Sequence, residues 1–303
     1  MSGYELAYVA VAVRDLDAAA HVFSESVGLA RATMFSDAAV FGVGRSALAL
    51  FDVEDPLLGG NAKPGVHHIA LAATDPEGMA QKHGLLVTST GVGLGGAKQV
   101  EIAPEATCGI RTRIIEPLNI DANAGGLVEC IDHIGVASTD NRAAIETFCD
   151  TLGCPLESQQ TDIEVRTAIE SFTSDKYGVV YHNRPPETVG GLRVAFITVG
   201  DCELEFLQNY DPALEAGNRL GDAAGTTGGD KSAIARFVER NGPGLHHLAL
   251  KTTNIDGMLD RLGAAGHRMI DSVGRPGSRR ARIGFIHPQA FGGGLVVHFV
   301  ERP

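Results

Sequence analysis

Alternation of apolar and polar residues predicts β-strands along much of the chain. At four places an alternating strand runs into a short polar residue and then into a helical pattern. That residue is Asp15, Asp75, Asp140 or Asn254, whose side-chain oxygen can accept a hydrogen bond from the first turn of a helix. More strands follow each helix, so the chain is predicted to use one strand–helix–strands unit four times.

Two internal repeats relate the first half of the chain to the second. Segment 6–15 matches segment 131–140, and Tyr8 aligns with His133 at a shift of 125 residues. Segment 64–71 matches segment 243–250, and His68 aligns with His247 at a shift of 179 residues. Because the shifts differ by 54, the second half carries about that many additional residues between its two segments.

Residues 117–126 combine proline, asparagine and glycine, which is the composition of a linker. We therefore predict a first domain at residues 1–125 and a second at residues 126–303. The additional residues of the second half are expected in two inserted loops, at about 158–190 and 209–243. The glycine-rich stretch 209–231 is expected to be a mobile loop.

Composition and charge exclude several classes of protein. The 303 residues are 44% hydrophobic and 20% charged, which is typical of a globular protein. The formal net charge of −12 has the wrong sign for neutralising phosphates, so we expect no nucleic-acid partner. No apolar stretch approaches the ~18 residues of a membrane span, and no basic segment precedes one at the N-terminus. We expect a cytoplasmic protein without membrane segments.

Strand alternation places four polar side chains on one face of the second half. His133 lies opposite Ile134 and Val136, and the same count sets His247, Glu205 and His298 apart from the large apolar residues beside them. Since the apolar residues should pack under the helices, the four polar ones should face the concave side. Three imidazoles and a carboxylate suit one divalent ion, Fe, Mn, Co, Ni or Zn, and the ligand set does not choose among them.

The first half provides an internal comparison for this site. It keeps the pair His67-His68, but the positions that match His133, Glu205 and His298 hold Tyr8, Ala49 and Arg113. One histidine cannot hold a metal ion, so the first half is predicted to have no metal site. A histidine pair on an apolar strand is more often a hydrogen-bonded core element than a ligand. The metal hypothesis therefore rests on His133, Glu205 and His298, which the first half lacks.

Four such units, with segments x-x-His-h-x-h-x-x-x-Asp and Gly-h-His-His-h-Ala-h, resemble the vicinal oxygen chelate superfamily. That group includes glyoxalase I, methylmalonyl-CoA epimerase, extradiol dioxygenases and bleomycin-resistance proteins. The second half is most similar to methylmalonyl-CoA epimerase, in segments 234–237, 244–247, 287–288 and 293–297. The arrangement of two modules per domain, with metal ligands in the second domain alone, is instead similar to the extradiol dioxygenases.

The resemblance implies an α+β fold in which four βαβββ modules pair into two curved-sheet domains. Carried over position by position, it implies metal ligands at His133, Glu205, His247 and His298. His298 departs from the family, which usually has Glu at this position, and Glu301 falls on the opposite side of the strand. The departure removes a carboxylate that often serves as both ligand and proton acceptor.

Three functions remain open at this point. The first is an enzyme that chelates a carbonyl substrate on the metal and promotes enolate-type proton transfer, as an epimerase, an isomerase or a glyoxalase-type lyase does. The second is an Fe(II) extradiol-type dioxygenase, although the usual triad of two histidines and a glutamate is absent. The third is a ligand-binding or resistance protein that uses the cavity without turnover.

Several further residues are candidates for the chemistry. Glu205 is a candidate acid or base, and so are Tyr181 and His182 in the first inserted segment. Arg279 and Arg280 belong to a basic cluster that could anchor a small anionic substrate through bidentate contacts. We also expect a homodimer.

Overall fold

The computed structural model describes residues 4–32, 35, 38–120, 126–166, 169–176, 178–183, 186–210 and 228–303. It has an α+β fold built on two large curved sheets, as expected. The last strand of the first sheet ends at Ile115 and the first strand of the second begins at Val128. No helix in these ranges is both long and apolar enough to cross a membrane.

The first sheet contains seven strands. They are β1 (Glu5–Val13), β2 (Ala39–Val43), β3 (Ser46–Asp52), β4 (Gly65–Ala72), β5 (Val87–Val92), β6 (Lys98–Ile102) and β7 (Thr112–Ile115). Their order across the sheet is β2-β3-β1-β4-β7-β6-β5. The helices are α1 (Leu16–His21), which continues as a π-helical segment at Val22–Val27, and α2 (Pro76–Lys82). Short 3₁₀ turns lie at Pro56–Leu58, Leu94–Gly96 and Pro104–Thr107.

The second half contains ten strands. They are β8 (Val128–Ser138), β9 (Leu156–Arg166), β10 (Ile169–Ser174), β11 (Gly178–Asn183), β12 (Glu187–Val199), β13 (Cys202–Tyr210), β14 (Gly244–Thr252), β15 (Arg275–Pro276), β16 (Arg282–Ile286) and β17 (Val296–Glu301). Eight of them form a sheet in the order β15-β16-β17-β14-β8-β13-β12-β9, and β10 pairs with β11 alone.

The helices of the second half are α3 (Asn141–Ile145), which continues as a π-helical segment at Glu146–Thr151, α4 (Gly228–Asn241) and α5 (Ile255–Ala264). Short 3₁₀ turns lie at Ser278–Arg280 and Pro288–Phe291. All four predicted helix caps form, because Asp15, Asp75, Asp140 and Asn254 each accept a hydrogen bond from a backbone N–H of the following turn.

Each large sheet is assembled from two modules. The modules join where β1 runs antiparallel to β4 and where β8 runs antiparallel to β14. The first module is irregular, because within the described residues its second strand is reduced to an isolated bridge between Arg31 and Phe41. The other three modules have one helix and four strands each, apart from the additional β10–β11 hairpin and α4 in the second half.

The two segments that were expected to be inserted loops contain regular structure. Residues 158–190 hold most of β9, all of β10 and β11, and the start of β12, because β9 and β12 pair along their length from Leu156 opposite Ile197 to Arg166 opposite Glu187. The second segment includes α4, on which Ile234, Phe237 and Val238 are spaced for one helix face and pack against the sheet. The expected mobile loop falls largely on residues 211–227, which are outside the described residues.

Apolar residues from both halves share one core. The convex faces of the two sheets and most of the helices pack into a single cluster that includes Val9, Ile69, Ile134, Leu248 and Phe299. The concave faces differ between the halves. In the first half a second apolar cluster around Tyr8 and Phe51 covers part of the concave face, beside a cavity lined by polar residues that include His68, Glu101 and Arg113. In the second half the apolar residues flank an open cavity.

Candidate metal centre

Four neighbouring strands position the predicted ligands. In the order β17-β14-β8-β13, each strand contributes one of them. Gly135 on β8 lies opposite Glu205 on one side and opposite His247 on the other. Ala249 lies opposite both His298 and His133. Because the ligand-bearing strands are adjacent and in this register, their side chains converge over the concave face.

The four side chains form a compact buried cluster. The ligand nitrogens of His133, His247 and His298 all lie within 4.8 Å of one another. One carboxylate oxygen, Glu205 Oε2, lies 3.3 Å from His133 Nε2 and 3.3 Å from His247 Nε2. Each of the four residues is no more than 7% exposed. The arrangement therefore brings together the three histidines and the glutamate that the sequence singled out.

Two nitrogens in the cluster have no hydrogen-bond partner within the described part of the chain, His247 Nε2 and His298 Nδ1. His247 Nε2 is close to Glu205, but the direction of the contact is not that of a hydrogen bond. A buried polar atom without a partner is costly, so such atoms usually mark a bound ion or water. Nitrogen atoms of three imidazoles beside a carboxylate fit a divalent transition-metal ion.

A second carboxylate fixes the orientation of His133. Its Nδ1–H donates to Asp132 Oδ1 at 2.6 Å, which directs the Nε2 lone pair into the cluster. Asp132 is held in turn by Arg302, whose Nη2 and Nε donate to the two carboxylate oxygens at 2.6 and 3.0 Å. Metal-binding histidines commonly have such a carboxylate behind them.

His247 is held by its neighbours on both sides. Its Nδ1 lies 3.0 Å from Nδ1 of His246, and burial lowers the pKa of His246 to about 3. A neutral His246 can accept from His247 Nδ1–H, which leaves Nε2 of His247 as the metal-facing atom. The ring also requires glycine at Gly135, because a Cβ there would lie 2.0 Å from His247 Cε1.

The charges in the cluster favour ligand-ready forms of His298 and Glu205. Burial, together with His133 and His247, holds the pKa of His298 well below its ordinary value of 6.5, so this ring is neutral. Burial would raise the pKa of Glu205, but His133 and His247 more than offset it and the pKa is lowered. For His133 the effects are reversed: burial would lower its pKa, but Glu205 and Asp132 outweigh burial and the pKa is raised.

A cavity of about 330 Å³ lies over the cluster. Its walls are mainly apolar and include Leu192, Val194, Phe196, Leu207, Ile234, Ile283 and Val300. Polar residues also line it. They include Asp162, which the sequence did not single out, and Arg275, a member of the same basic cluster as Arg279 and Arg280, together with Ser278 and Arg302. Asp162 is 5% exposed and lies on β9 opposite Leu192. Arg275 lies with its guanidinium 5.4 Å from the centroid of the Phe285 ring, which stacks on His298.

The two arginines predicted to bind substrate lie elsewhere. Arg279 donates to Glu157 at 2.6 Å and to the two oxygens of Glu203 at 3.0 and 2.5 Å, and its guanidinium lies 3.5 Å from the centroid of Phe196. Arg280 is exposed, and neither arginine lines the cavity. Carboxylates already neutralise Arg279. The arginines that do line the cavity are Arg275 and Arg302, and each also has a carboxylate partner, Asp271 at 3.3 Å and Asp132 at 2.6 Å.

The two predicted acid–base residues of the insertion, Tyr181 and His182, lie on β11, where they pair with Ser171 and Glu170 of β10. Their side chains are outside the described part of the structure. Their role stays a prediction. Glu205, the third predicted acid–base residue, faces the cavity.

In the first half, two of the matching positions, Tyr8 and His68, are hydrogen-bonded to each other, and Arg113 pairs with a residue outside this set. His68 Nε2 is hydrogen-bonded to the Tyr8 hydroxyl at 3.1 Å, and His68 Nδ1 lies 2.9 Å from Nδ1 of His67. Arg113, which stands where the second half has His298, pairs with Glu101 at 2.5 Å. Burial raises the pKa of Tyr8 to about 12, so its hydroxyl stays protonated. The described residues contain one cluster with metal-ligand geometry, and it is in the second half.

Comparison with known proteins identifies the family. A model of the glyoxalase/bleomycin resistance protein/dioxygenase superfamily matches residues 132–285, about half of the chain. The chain belongs to this superfamily. This confirms the resemblance to the vicinal oxygen chelate proteins that the sequence indicated.

Individual members of the superfamily match different portions of the chain. An ethylmalonyl-CoA/methylmalonyl-CoA epimerase of Cereibacter sphaeroides is 26% identical over 169 residues, which are 55% of this chain and 93% of that protein. The methylmalonyl-CoA epimerase structure from Mycobacterium tuberculosis is 26% identical and covers 61% of this chain and 94% of its own, with a TM-score of 0.40.

One solved structure matches from end to end. A mutant of 4-hydroxymandelate synthase from Streptomyces coelicolor covers 100% of this chain and 93% of its own, with a TM-score of 0.62 and 15% identity. At that identity the likeness shows the fold alone. The arrangement of two curved sheets is therefore that of a two-domain member of the superfamily.

Proposed function

We propose that the protein is a divalent-metal enzyme that binds a small oxygenated carbonyl or acyl substrate and promotes proton transfer next to the carbonyl. Epimerases, isomerases and glyoxalase-type lyases share this reaction type. The ion would be held by His133, His247 and His298, with Glu205 as a fourth ligand.

The observation that carries this proposal is the pair of buried imidazole nitrogens, on His247 and His298, without hydrogen-bond partners. The first-half counterpart of His247 is His68, and both of its ring nitrogens have partners, in Tyr8 and His67. The fold therefore does not require an unpaired nitrogen at this position. A cluster kept unpaired inside a cavity of about 330 Å³ is suited to bind an ion in contact with a small molecule.

A divalent ion bound there would act as a Lewis acid on a substrate oxygen. The side chains that line the cavity would exclude water, transfer the proton and bind the substrate. The apolar walls formed by Leu192, Val194 and Ile283 exclude water from the substrate. Asp162 is a carboxylate in the same cavity and can take a proton from, or return it to, a carbon held over the cluster. Arg275 can pair with a negative group on the substrate.

The epimerase relatives support proton transfer as the reaction type, since they match the half that contains the cluster. The histidine at position 298, where the family usually has glutamate, changes which residue can accept the proton. An imidazole whose pKa is lowered by burial is a poor proton acceptor, so the acid–base role passes to a carboxylate outside the ligand cluster, Asp162. An Fe(II) dioxygenase is the second candidate, because three imidazoles and a carboxylate also suit iron.

Two measurements test the proposal together. Metal analysis of protein purified without added metal should find about one divalent ion per chain. The loaded protein should then exchange the α-proton of a 2-methyl-branched acyl-CoA, with methylmalonyl-CoA as the probe, for solvent deuterium. Iron as the resident ion, with oxygen consumption and no proton exchange, would favour the dioxygenase. Absence of a bound ion at any metal concentration would reject both enzymes and favour a binding protein.

A further inference from the structure

The first half contains a cavity of about 410 Å³ that is separate from the metal centre. Three neighbouring strands of the first sheet, in the order β4-β7-β6, contribute polar side chains to it. Its charged residues are Arg111, Arg113 and Glu101, and its histidines are His67 and His68. None of the residues that line it belongs to the cluster of metal ligands.

Arg113 occupies the position in the first sheet that His298 occupies in the second. Arg113 lies opposite Ala70 on β4, and His298 lies opposite Ala249 on β14. The second half thus has a ring that can hold a cation at this position, whereas the first half has a guanidinium, which is always protonated in proteins. The first cavity therefore carries a fixed positive charge where the second has a ligand for a positive ion.

The guanidinium of Arg113 is buried and only partly hydrogen-bonded. The residue is 7% exposed, and its Nη2 lies 2.5 Å from Glu101 Oε1 and 2.5 Å from the carbonyl oxygen of Leu57. Its Nη1 has no hydrogen-bond acceptor within the described part of the chain. The Tyr8 hydroxyl lies near this guanidinium but is bonded to His68. A buried donor without an acceptor is costly, and an anionic oxygen would satisfy it.

Arg111 adds a second positive charge to the same cavity. Arg111 and Arg113 are two residues apart on extended chain, so both lie on one side of the strand. Arg111 Nη1 donates to His67 Nε2 at 2.6 Å, and Arg111 has no acidic partner among the described residues.

The two histidines of the cavity are neutral. Burial, with the charges of Arg111 and Arg113, lowers the pKa of His67 to about 3 and holds that of His68 well below its ordinary value. The charged lining therefore consists of two guanidinium groups and one carboxylate, Glu101, which leaves one positive charge in excess.

We infer that this cavity binds a small organic carboxylate. Its carboxylate group would accept hydrogen bonds from Arg113 Nη1 and from Arg111, since guanidinium groups and carboxylates match in geometry as well as in charge. One excess positive charge suits a monoanion, and Glu101 would repel a dianion such as phosphate. The apolar part of the ligand would lie against Leu57 and Pro104, which also line the cavity.

Calorimetric titration of the full-length protein with benzoate tests the inference, and benzamide is a neutral probe of the same shape. Benzoate should bind at low ionic strength with a dissociation constant on the order of 1 mM, and benzamide at least about tenfold more weakly. Arg111→Gln alters an exposed residue and should raise the dissociation constant for benzoate by about fivefold or more.

Glu101→Gln provides a test in the opposite direction. The variant keeps an oxygen that can accept from Arg113 but removes the negative charge from the cavity, so benzoate should bind about threefold more tightly. Damage to the fold would not strengthen binding. Arg14→Gln, which alters an exposed arginine of the same half outside the cavity, should leave the affinity unchanged.

Arg275→Gln distinguishes the two cavities, because Arg275 lines the one over the metal centre. It should leave benzoate binding intact. Benzoate binding that is lost with Arg275→Gln and unaffected by Arg111→Gln would place the anion in the second half and overturn the inference. Equal binding of benzoate and benzamide, tighter binding of phosphate than of benzoate, or no benzoate binding at about 10 mM would also overturn it.

Discussion

His68 and His247 occupy the same position of two repeated strands, yet only His68 has a partner for its Nε2 atom. In the first half the Tyr8 hydroxyl lies 3.1 Å from that nitrogen. In the second half the residue that replaces Tyr8 is His133, which faces the same space with its own Nε2. This substitution, together with Glu205 in place of Ala49 and His298 in place of Arg113, separates a hydrogen-bonded His68 from a cluster suited to a cation.

Replacing Asp132 with Asn should weaken metal binding. The variant keeps an oxygen that can accept from His133 Nδ1–H, but it removes the negative charge that is paired with Arg302. Loss of a carboxylate behind a histidine ligand typically lowers metal affinity by about 10- to 100-fold. Competition titration with a chromophoric chelator measures the effect. Asp256→Asn, which alters a carboxylate paired with Arg282 at the surface, is the matched control and should leave affinity unchanged.

Replacing Asp162 with Asn should separate proton transfer from metal binding. The side chain lines the cavity but is not part of the ligand cluster, so the metal content should remain at the wild-type level. Loss of a positioned acid–base group typically lowers a rate by about 10²- to 10⁴-fold. The rate of deuterium exchange into methylmalonyl-CoA checks this. Glu164→Gln, on the same strand and exposed, is the control. Wild-type exchange in Asp162→Asn would assign the proton to another group, such as Glu205.

Metal affinity should increase with pH in the neutral range. In the metal-free protein Glu205 and Asp132 outweigh the effect of burial and raise the pKa of His133 above 6.5. His133 is therefore still protonated at pH 6.5, and an ion must displace that proton. His298 makes no such contribution because its lowered pKa keeps it neutral.

Below the raised pKa of His133 the expected slope is about a tenfold gain in affinity per pH unit, and the gain levels off once His133 is neutral in the metal-free protein. Titrations at constant ionic strength across about pH 6 to 8 would measure it. An affinity that stays constant over this range would show that no proton is displaced, in conflict with a raised pKa at His133.

Much of the fold follows from periodicity and internal repetition. The four helix caps at Asp15, Asp75, Asp140 and Asn254 form where a short polar residue ends an alternating strand. The same alternation placed the ligand candidates on the concave face, since a strand has only two faces. These features depend on local sequence, so the amino-acid sequence of a single protein is sufficient to predict them.

The features that were not predicted depend on distant partners. The basic cluster predicts Arg279 as a substrate anchor, but its carboxylate partners Glu203 and Glu157 are 76 and 122 residues away in the sequence. Asp162 was overlooked because its strand was expected to be a loop, and a residue in a loop has no assigned face. Only the pairing of β9 with β12 places Asp162 in the cavity.

The metal content of two alanine variants tests the central claim most directly. His247→Ala and His68→Ala remove the same side chain from the same sequence context, Pro-Gly-h-His-His-h-Ala-Leu, so their packing losses should be similar. Titrated with limiting metal, His247→Ala should lose the bound ion, whereas His68→Ala should keep about one ion per chain and change only in stability. Equal loss of metal in both variants, or full retention in His247→Ala, would contradict a metal centre confined to the second half.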